Sequence, residues 1–449
     1  METVRKSRYC FLIDKEDVHL AYSSATNSFY RTNGYVNSLI RDASIPLQDI
    51  EAAGHDSEYG RLRALRLITT EEEDDRVVDL LRIKYFMHSF SKESLGIIIA
   101  PTLKCNLRCP YCYEANKPAH VMDKETCDRV IDFIKGHSCA RSFHLMWYGG
   151  EPMVGADVIK YILSRVDELE DIKMKGHGMI TNATLLSGDN LDIFKEHPLD
   201  HVQITLDGNR ETHDTRRIRH DGVGTYDKII ENMKGFAESY PDTSIAVRVN
   251  IDKDNASEFM TVYETVRQQF PGKKNIFVYP GILRQCGKQD VNSPFLMNED
   301  VMRIKDEFVS KGFPMSFPNI IETGCTATSL TGYIIGPQGE IYKCWEDIGM
   351  PSRVVGNIRD RNYTNMKLFS DYMLHGTHIL EEECRCCPLL PICSNDCARH
   401  RLDNRQIAAG YELCSLLKSD DYRRLEDELY LFYSKYVNGK DSRACTCCE

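Results

Sequence analysis

The chain has 449 residues, 42% hydrophobic and 27% charged, as in a soluble globular protein of two or three domains with a sizeable core. No run approaches the roughly 20 apolar residues of a membrane helix. The start, with charges on both sides of Tyr9-Cys10-Phe11-Leu12-Ile13, is too short and interrupted for a secretory signal. Fifty-six basic against 67 acidic residues leave a net charge of −11, which argues against a nucleic-acid partner bound by phosphate neutralisation. A cytoplasmic protein with no membrane association is expected.

Residues 1–94 form a first region. Short β-like runs at 9–13, 18–22 and 28–31 precede a helix over 33–41. The acidic run Glu71-Glu72-Glu73-Asp74-Asp75 stands before an apolar period of Val77, Leu80, Leu81, Ile83 and Phe86. Acidic residues in a first turn complement the helix dipole, so a helix is predicted to start there.

From residue 96 to about 310 strand and helix patterns alternate. Apolar strand candidates lie at 97–100, 143–147, 178–181, 202–206, 245–251 and 276–279. Between them run helical periods such as Val158, Ile162, Val166, Leu169 and Ile229, Met233, Phe236. Asn255 with Glu258 three residues later spells a capping box ahead of Phe259, Val262 and Val266. Six strands separated by helices predict an α/β fold with a parallel sheet, open or curled towards a barrel. Ligands of such sheets sit at the carboxyl ends of the strands. Beyond about 320 come short β-like runs at 332–335 and 340–343, many cysteines and a helical stretch at 421–437. A core that thin needs metal or disulfide staples.

The 18 cysteines are unevenly placed, seven within 1–324 and eleven in the last 125 residues. Without a secretory signal such spacing reads as metal ligation before disulfides. Cys105, Cys109 and Cys112 follow directly on the first core strand, where α/β active sites occur. Three thiolates within eight residues can converge on one soft metal centre. A 4Fe–4S cluster held by three cysteines keeps one iron open, and a structural zinc knuckle is the alternative.

Cys105-x-x-x-Cys109-x-Tyr111-Cys112 strongly resembles the signature of the radical S-adenosylmethionine (radical SAM) enzymes, with Tyr111 as its aromatic. Trp147-Tyr148-Gly149-Gly150-Glu151-Pro152, at the end of the second strand, is similar to that family's Gly-Gly-Glu-Pro element. Two glycines let a backbone approach a ligand closely, and the resemblance implies that Gly149, Gly150, Glu151 and Pro152 receive the amino end of the methionine moiety. Thr181-Asn182-Ala183-Thr184, Thr205-Leu206-Asp207-Gly208, His213-Asp214, Arg216-Arg217, Tyr226-Asp227, and Arg248 with Asn250 resemble the peptide-modifying branch in the same order. By that resemblance Asn182, Thr205 and Asp207 would face the ribose and methionine, and Arg248 the carboxylate. Taken singly, each is equally well a capping, turn or sheet-edge residue.

The later cysteines carry their own spacing. Cys325 is followed after thirteen residues by Gly339 and after four more by Cys344; then come Cys384-x-x-Cys387-x5-Cys393-x3-Cys397 and Cys414. This resembles the auxiliary-cluster extension known as the SPASM domain, found in maturases of sulfatases and of ribosomal peptides, with zinc ribbons as the structural alternative. The resemblance implies that Cys325, Cys344 and Cys397 hold one 4Fe–4S cluster and that Cys384, Cys387, Cys393 and Cys414 hold another. With the first triplet that makes three 4Fe–4S clusters beside S-adenosylmethionine. The sulfatase-maturing pattern has one more cysteine shortly before the position of Cys325, and here the nearest is Cys286. The first auxiliary cluster would then have an iron open to a substrate thiolate, unless Cys286 or Cys445, Cys447 and Cys448 complete it. Those relatives also place an acidic residue straight after the cysteine matched by Cys344, where this chain has Trp345. On a β-like run a two-residue offset keeps the same face, which singles out Asp347 as the proton acceptor.

The resemblance implies a partial (βα)6 radical SAM barrel at 95–315, preceded by a winged-helix-like, leader-recognising region at 1–94. A SPASM domain at 316–420 and a C-terminal helix with a Cys-containing tail at 421–449 would follow. It further implies reductive cleavage of S-adenosylmethionine and hydrogen abstraction from a leader-bearing peptide substrate, with a flavodoxin or ferredoxin-type electron donor. The product would carry a thioether or carbon–carbon cross-link. Sulfatase-type oxidation of Cys or Ser is the alternative within the family, and a non-catalytic iron–sulfur or zinc module the alternative outside it.

Overall fold

Strands that are apolar on both faces need cover on both sides, and a parallel sheet gets it from its crossover helices. The computed structural model describes residues 2–113, 118–285, 289–290, 293–321, 324–360, 363–394, 397–419 and 421–437. Cys286, Cys445, Cys447 and Cys448 lie outside the described residues.

The first region holds β1 (Thr3–Lys6), β2 (Cys10–Lys15), β3 (Val18–Ser23), β4 (Ser28–Arg31), α1 (Gly34–Arg41), β5 (Ser44–Pro46), α2 (Leu47–Ala53), α3 (Glu58–Ala64), β6 (Ile68–Thr69) and α4 (Glu71–Ser89). Two antiparallel sheets result, ordered β2-β3-β4 and β5-β1-β6. The three expected strands and α1 are present. The second sheet went unread because β1, β5 and β6 run two to four residues, too short for alternation to register. The acidic run does open a helix: Thr70 and Glu73 form a capping box at the start of α4. The apolar period there is not one buried stripe. Val77 and Leu81, with Val78 and Tyr85, pack against Tyr9, Ile379 and Leu390, whereas Leu80, Ile83 and Phe86 turn to solvent.

The middle of the chain runs β7 (Ser94–Ile99), α5 (Lys124–Lys135), β8 (Ser142–Trp147), α6 (Ala156–Val166), β9 (Lys173–Thr181), β10 (His201–Leu206), α7 (Arg210–Arg216), α8 (Tyr226–Ser239), β11 (Ser244–Ile251), α9 (Phe259–Gln269), β12 (Ile276–Ile282) and α10 (Asn298–Ser310). β7 to β12 pair in consecutive order, all parallel. All six expected strands form, and the largest core cluster lies between them and their helices. The expected capping box at Asn255 does not. The Asn255 side chain instead donates to the Asp207 and Asn250 carbonyls. Glu258 accepts from the Asn209 amide and the Thr212 hydroxyl. Both residues therefore tie the β10 and β11 ends together rather than start α9.

After 324 come β13 (Gly332–Ile335), β14 (Glu340–Tyr342), β15 (Gly356–Asn357), α11 (Met366–His375), α12 (Ala398–Ile407) and α13 (Arg423–Phe432), the last continued by a π turn at Tyr433–Val437. β13 pairs parallel with β7, Gly332 opposite Gly96 through Ile335 opposite Ile99. β14 and β15 follow antiparallel. The result is a nine-stranded sheet with edges at β12 and β15, hence open rather than a closed barrel. The cysteine-rich part is braced from the other side as well, by Phe11, Ile13, Leu20 and Tyr22 against Leu389, Ile392, Leu425 and Leu429. No helix among the described residues is long and apolar enough to cross a membrane.

Candidate functional site

The first cysteine group sits on the turn after β7. The Thr102 hydroxyl anchors that turn, donating to the His120 carbonyl at 2.8 Å and accepting the Lys104 amide at 3.0 Å. The Leu107 amide donates to Cys105 Sγ at 3.4 Å, and the Asn182 side-chain amide approaches the same sulfur at 3.9 Å. Burial pushes the Cys105 thiol up to about 12 and also raises Cys109, with the Cys109 charge adding to the rise of Cys105 and the Cys112 charge to that of Cys109. Thiols so placed become thiolates only beside a cationic centre, which a metal cluster supplies.

The two glycines after β8 have a sharper reason than closeness to a ligand. A Cβ on Gly149, whose φ is +119°, would stand 2.4 Å from the Thr102 carbonyl, and one on Gly150 would stand 2.5 Å from the Leu103 and Lys104 carbonyls. What approaches them is the cysteine-bearing turn itself. It is held there by hydrogen bonds from the Gly150 amide to Thr102 O and from the Glu151 amide to Lys104 O. Glu151 is fully enclosed. Its Oε1 accepts from Thr181 Oγ1 at 2.7 Å and from the Met153 amide at 3.1 Å, and its Oε2 accepts from the Asn182 amide at 2.7 Å. Burial raises its proton affinity, and these three donors oppose that rise. Pro152 is buried and opens the following 3-10 turn.

Asn182 closes the loop of contacts. Its amide nitrogen donates to Asn106 Oδ1 at 2.9 Å, while Asn106 reaches Thr184 at 2.8 Å. On the other side of the triplet, Tyr111 Oη accepts from Arg217 Nη1 at 3.0 Å and from Asn250 Nδ2 at 3.3 Å. Arg217 also lies 3.6 Å from Asp207. Asp207 is buried, and neither carboxylate oxygen has a hydrogen-bond partner among the described residues. Burial holds its carboxyl above the usual carboxylate range, opposed by the Arg217 charge. Thr205 is buried opposite Arg248 in the β10–β11 register, and Arg248 Nε donates to Asn250 Oδ1 at 2.8 Å. Sequence reasoning listed Arg217 only as one of an arginine pair, because nothing local separates it from a solvated surface cation. An open rim of strand ends, three thiols on one short turn and a buried carboxylate that faces Arg217 but accepts no hydrogen bond among the described residues are a donor set that fits an iron–sulfur cluster with a polar ligand beside it.

The later cysteines fall into two neighbourhoods. Burial holds the Cys344 thiol well above its ordinary value, with the Cys397 and Cys325 charges adding to it. Cys384, pushed up to about 11 chiefly by burial, feels Cys387, Cys393 and Cys414. Among the described residues no group of three His, Cys, Asp or Glu side chains is drawn together as a single-ion site.

Asp347 lies beside the first of these neighbourhoods, but on a 3-10 turn (Trp345–Asp347), so strand parity does not govern which way it points. It is wholly buried. Oδ2 accepts from the Tyr372 hydroxyl at 2.6 Å, and Oδ1 pairs with Arg399. Arg399 and Arg353 both continue to Asp403, at 2.8 and 2.6 Å. Asp347 is thus a member of a closed two-acid, two-arginine cluster joining the Cys344 turn to α12, which follows Cys397. The residue exposed on that turn is Trp345, which stacks on Tyr148.

Residues 99–266 match the Radical SAM superfamily. The chain is similar to the cysteine-type anaerobic sulfatase-maturating enzyme of Clostridium novyi, 21% identical over 354 residues that cover 70% of this chain and 90% of that protein. It is 22% identical over 341 residues to the serine-type enzyme of Bacteroides thetaiotaomicron, covering 66% and 80%. Among solved structures, histidine-tagged anSMEcpe with bound AdoMet matches with a TM-score of 0.59 at 18% identity, covering 77% of this chain and 99% of that one. Streptococcus suis SuiB bound to precursor peptide SuiA matches at 0.52 and 16%, covering 93% and 100%. Membership implies a 4Fe–4S cluster and S-adenosylmethionine as cofactors. The parallel sheet, the triplet at its carboxyl rim and these likenesses lead to one assignment: the chain is an enzyme whose residues 99–266 carry a Radical SAM domain.

Proposed function

We propose that the protein is a peptide maturase that forms a thioether or carbon–carbon cross-link in a ribosomally synthesised, leader-bearing peptide. In this reading Cys105, Cys109 and Cys112 hold the catalytic cluster. Gly149, Gly150, Glu151 and Pro152 shape the methionine end of the site, Asn182, Thr205 and Asp207 face the ribose and methionine, and Arg248 the carboxylate. Bound there, the cluster and S-adenosylmethionine would supply one-electron chemistry, the reductive cleavage of the sulfonium that would yield a 5′-deoxyadenosyl radical able to take hydrogen from the peptide. The protein's share is to hold those groups, exclude water and orient the peptide carbon. Cys325, Cys344 and Cys397 would hold one auxiliary cluster and Cys384, Cys387, Cys393 and Cys414 a second, and a flavodoxin or ferredoxin-type protein would deliver the electron.

The observation that carries cross-linking over sulfatase-type oxidation is the turn after Cys344. Trp345 takes the place where the sulfatase-maturing pattern has an acid, and the nearby Asp347 carboxylate is closed into pairs with Arg399 and Tyr372. A fixed, enclosed anion is a poor acceptor for a substrate proton. Supporting the peptide reading, the likeness to Streptococcus suis SuiB bound to precursor peptide SuiA extends over 93% of this chain.

The test is anaerobic coexpression with a short peptide encoded beside the gene, read by mass spectrometry. Loss of two hydrogens per modification without an aldehyde supports cross-linking. A hydrazide-reactive aldehyde at Cys or Ser overturns it in favour of oxidation. Replacing Cys105, Cys109 and Cys112 together by Ala should abolish 5′-deoxyadenosine release and leave the C-terminal iron in place.

A further inference from the structure

A helix that is apolar all round is a buried helix, and the C-terminal half of α4 is apolar on both faces while its outer face meets water. Its inner face packs on Tyr9, Ile379 and Leu390 through Val77, Val78, Leu81 and Tyr85. Its outer face presents Leu80 (52% exposed), Ile83 (54%), Met87 (70%) and Phe90 (41%), the last at the helix C-cap. Their spacing of three, four and three residues is the a/d repeat of a coiled-coil seam. Phe86, in ring contact with Phe90 at 5.9 Å, widens the seam on one side. Scattered apolar residues need no partner, but a contiguous exposed row marks an interaction surface.

The charges at the two ends say what the partner is. Asp79 and Arg76 are exposed just before the seam, Lys92 and Glu93 just after it. Asp79, Lys92 and Glu93 form no side-chain pair within the chain among the described residues. If a second α4 lies antiparallel on the first, Leu80 meets the second copy's Phe90 and Ile83 meets its Met87. The same alignment carries Asp79 to the end of the second helix, where Lys92 and Glu93 follow the C-cap residue Phe90; Arg76 is held by Glu72 within its own helix and is left out of the match. A parallel alignment would set like charges together. Such self-complementarity about a two-fold axis is the signature of an isologous interface.

We infer that the outer face of α4 is the seam of a homodimer in which two copies of this chain pack antiparallel through Leu80, Ile83, Met87 and Phe90. Sedimentation of the full chain at tens of micromolar should give twice the 51.5 kDa chain mass. Ile83→Glu with Met87→Glu, both on the solvent face, should leave circular dichroism and the thermal midpoint of the monomer intact and weaken association at least 100-fold. Asp79→Lys should weaken it about tenfold, and Asp79→Lys with Lys92→Asp should restore it. A monomeric wild type, a dimer that survives the double glutamate variant, or a charge swap that fails to restore association would overturn the inference. A monomer whose α4 face is instead protected from hydrogen exchange by added peptide would overturn it too, and assign that face to the substrate.

Discussion

Tyr148 lies stacked on Trp345, ring centroids 5.7 Å apart and planes 26° from parallel. Tyr148 immediately precedes Gly149, and its hydroxyl bonds that of Tyr113, the residue after Cys112. Trp345 immediately follows Cys344. One aromatic contact therefore joins the Gly149-Gly150 turn, and through Tyr113 the cysteine triplet, to the turn after Cys344. Such a pair contributes about 1 kcal/mol beyond the area it buries. Trp345→Leu should keep S-adenosylmethionine cleavage within a few-fold of wild type but raise the ratio of 5′-deoxyadenosine to modified peptide several-fold. An unchanged ratio would reduce the stack to packing.

Glu151→Gln keeps the shape of the side chain and turns one acceptor oxygen into a donor. Whichever way the amide is placed, a buried donor now faces the Thr181 hydroxyl and Met153 amide or the Asn182 amide. A clash of that kind costs about 2–3 kcal/mol. The thermal midpoint should fall and S-adenosylmethionine affinity drop at least tenfold by calorimetry. Glu151→Asp, which keeps the charge but withdraws the oxygens, should lie between.

Two buried histidines make the fold acid-sensitive. His177 takes the Trp147 indole N–H on Nε2 at 2.7 Å and donates from Nδ1 to the His197 carbonyl at 3.0 Å, so it is held neutral. Burial lowers it from 6.5 to about 4, and burial with the Arg217 charge lowers His213 to about 3. As pH falls below 6.5 the unfolded chain takes up these protons first. Stability is thus complete above that pH and is lost on acidification. One pH unit below, each histidine subtracts about 1.4 kcal/mol. Urea midpoints measured at several pH values should show the loss, and His177→Gln should remove its share.

Asp347→Asn leaves Arg399 short of half its neutralising charge in a buried setting. Removing one member of a buried ion cluster costs about 3 kcal/mol. Asp403 remains as partner, so the protein should fold with a lower thermal midpoint and an altered electron paramagnetic signal from the Cys344 group. Full stability with abolished product would instead make Asp347 the proton acceptor.

Reconstitution should load about twelve irons, four for each of three clusters. A chelator strong enough to strip them should leave β7 to β12 folded, since the strands themselves carry no cysteine ligand, and loosen the chain after 324. Mostly zinc with little labile sulfide would favour the zinc alternative.

The six parallel strands were legible because each is a short, doubly buried apolar run, such as Ile245–Ile251 within β11, with a helix period on either side. The triplet and the Gly149-Gly150 turn were legible because their chemistry is local. Arg217 was not, since its partners Tyr111 and Asp207 lie 106 and 10 residues away and only the folded chain joins them. Asn255 and Glu258 form a good local motif that tertiary partners took over. Asp347 was singled out by period-two reasoning, which presumes a strand, and the chain makes a 3-10 turn there.

The pairing of β13 with β7 makes the cysteine-rich half inseparable from the catalytic half. β7 carries the turn with Cys105 and is an interior strand only because Gly332–Ile335 lies beside it. Ending the chain near 315 would turn β7 into a bare edge, with unpaired amides and carbonyls along a row of isoleucines, the kind of edge that recruits other chains. A trimmed catalytic fragment would then aggregate before it bound any cofactor. The auxiliary half would be retained as a covering for the first strand, independently of any electron it passes.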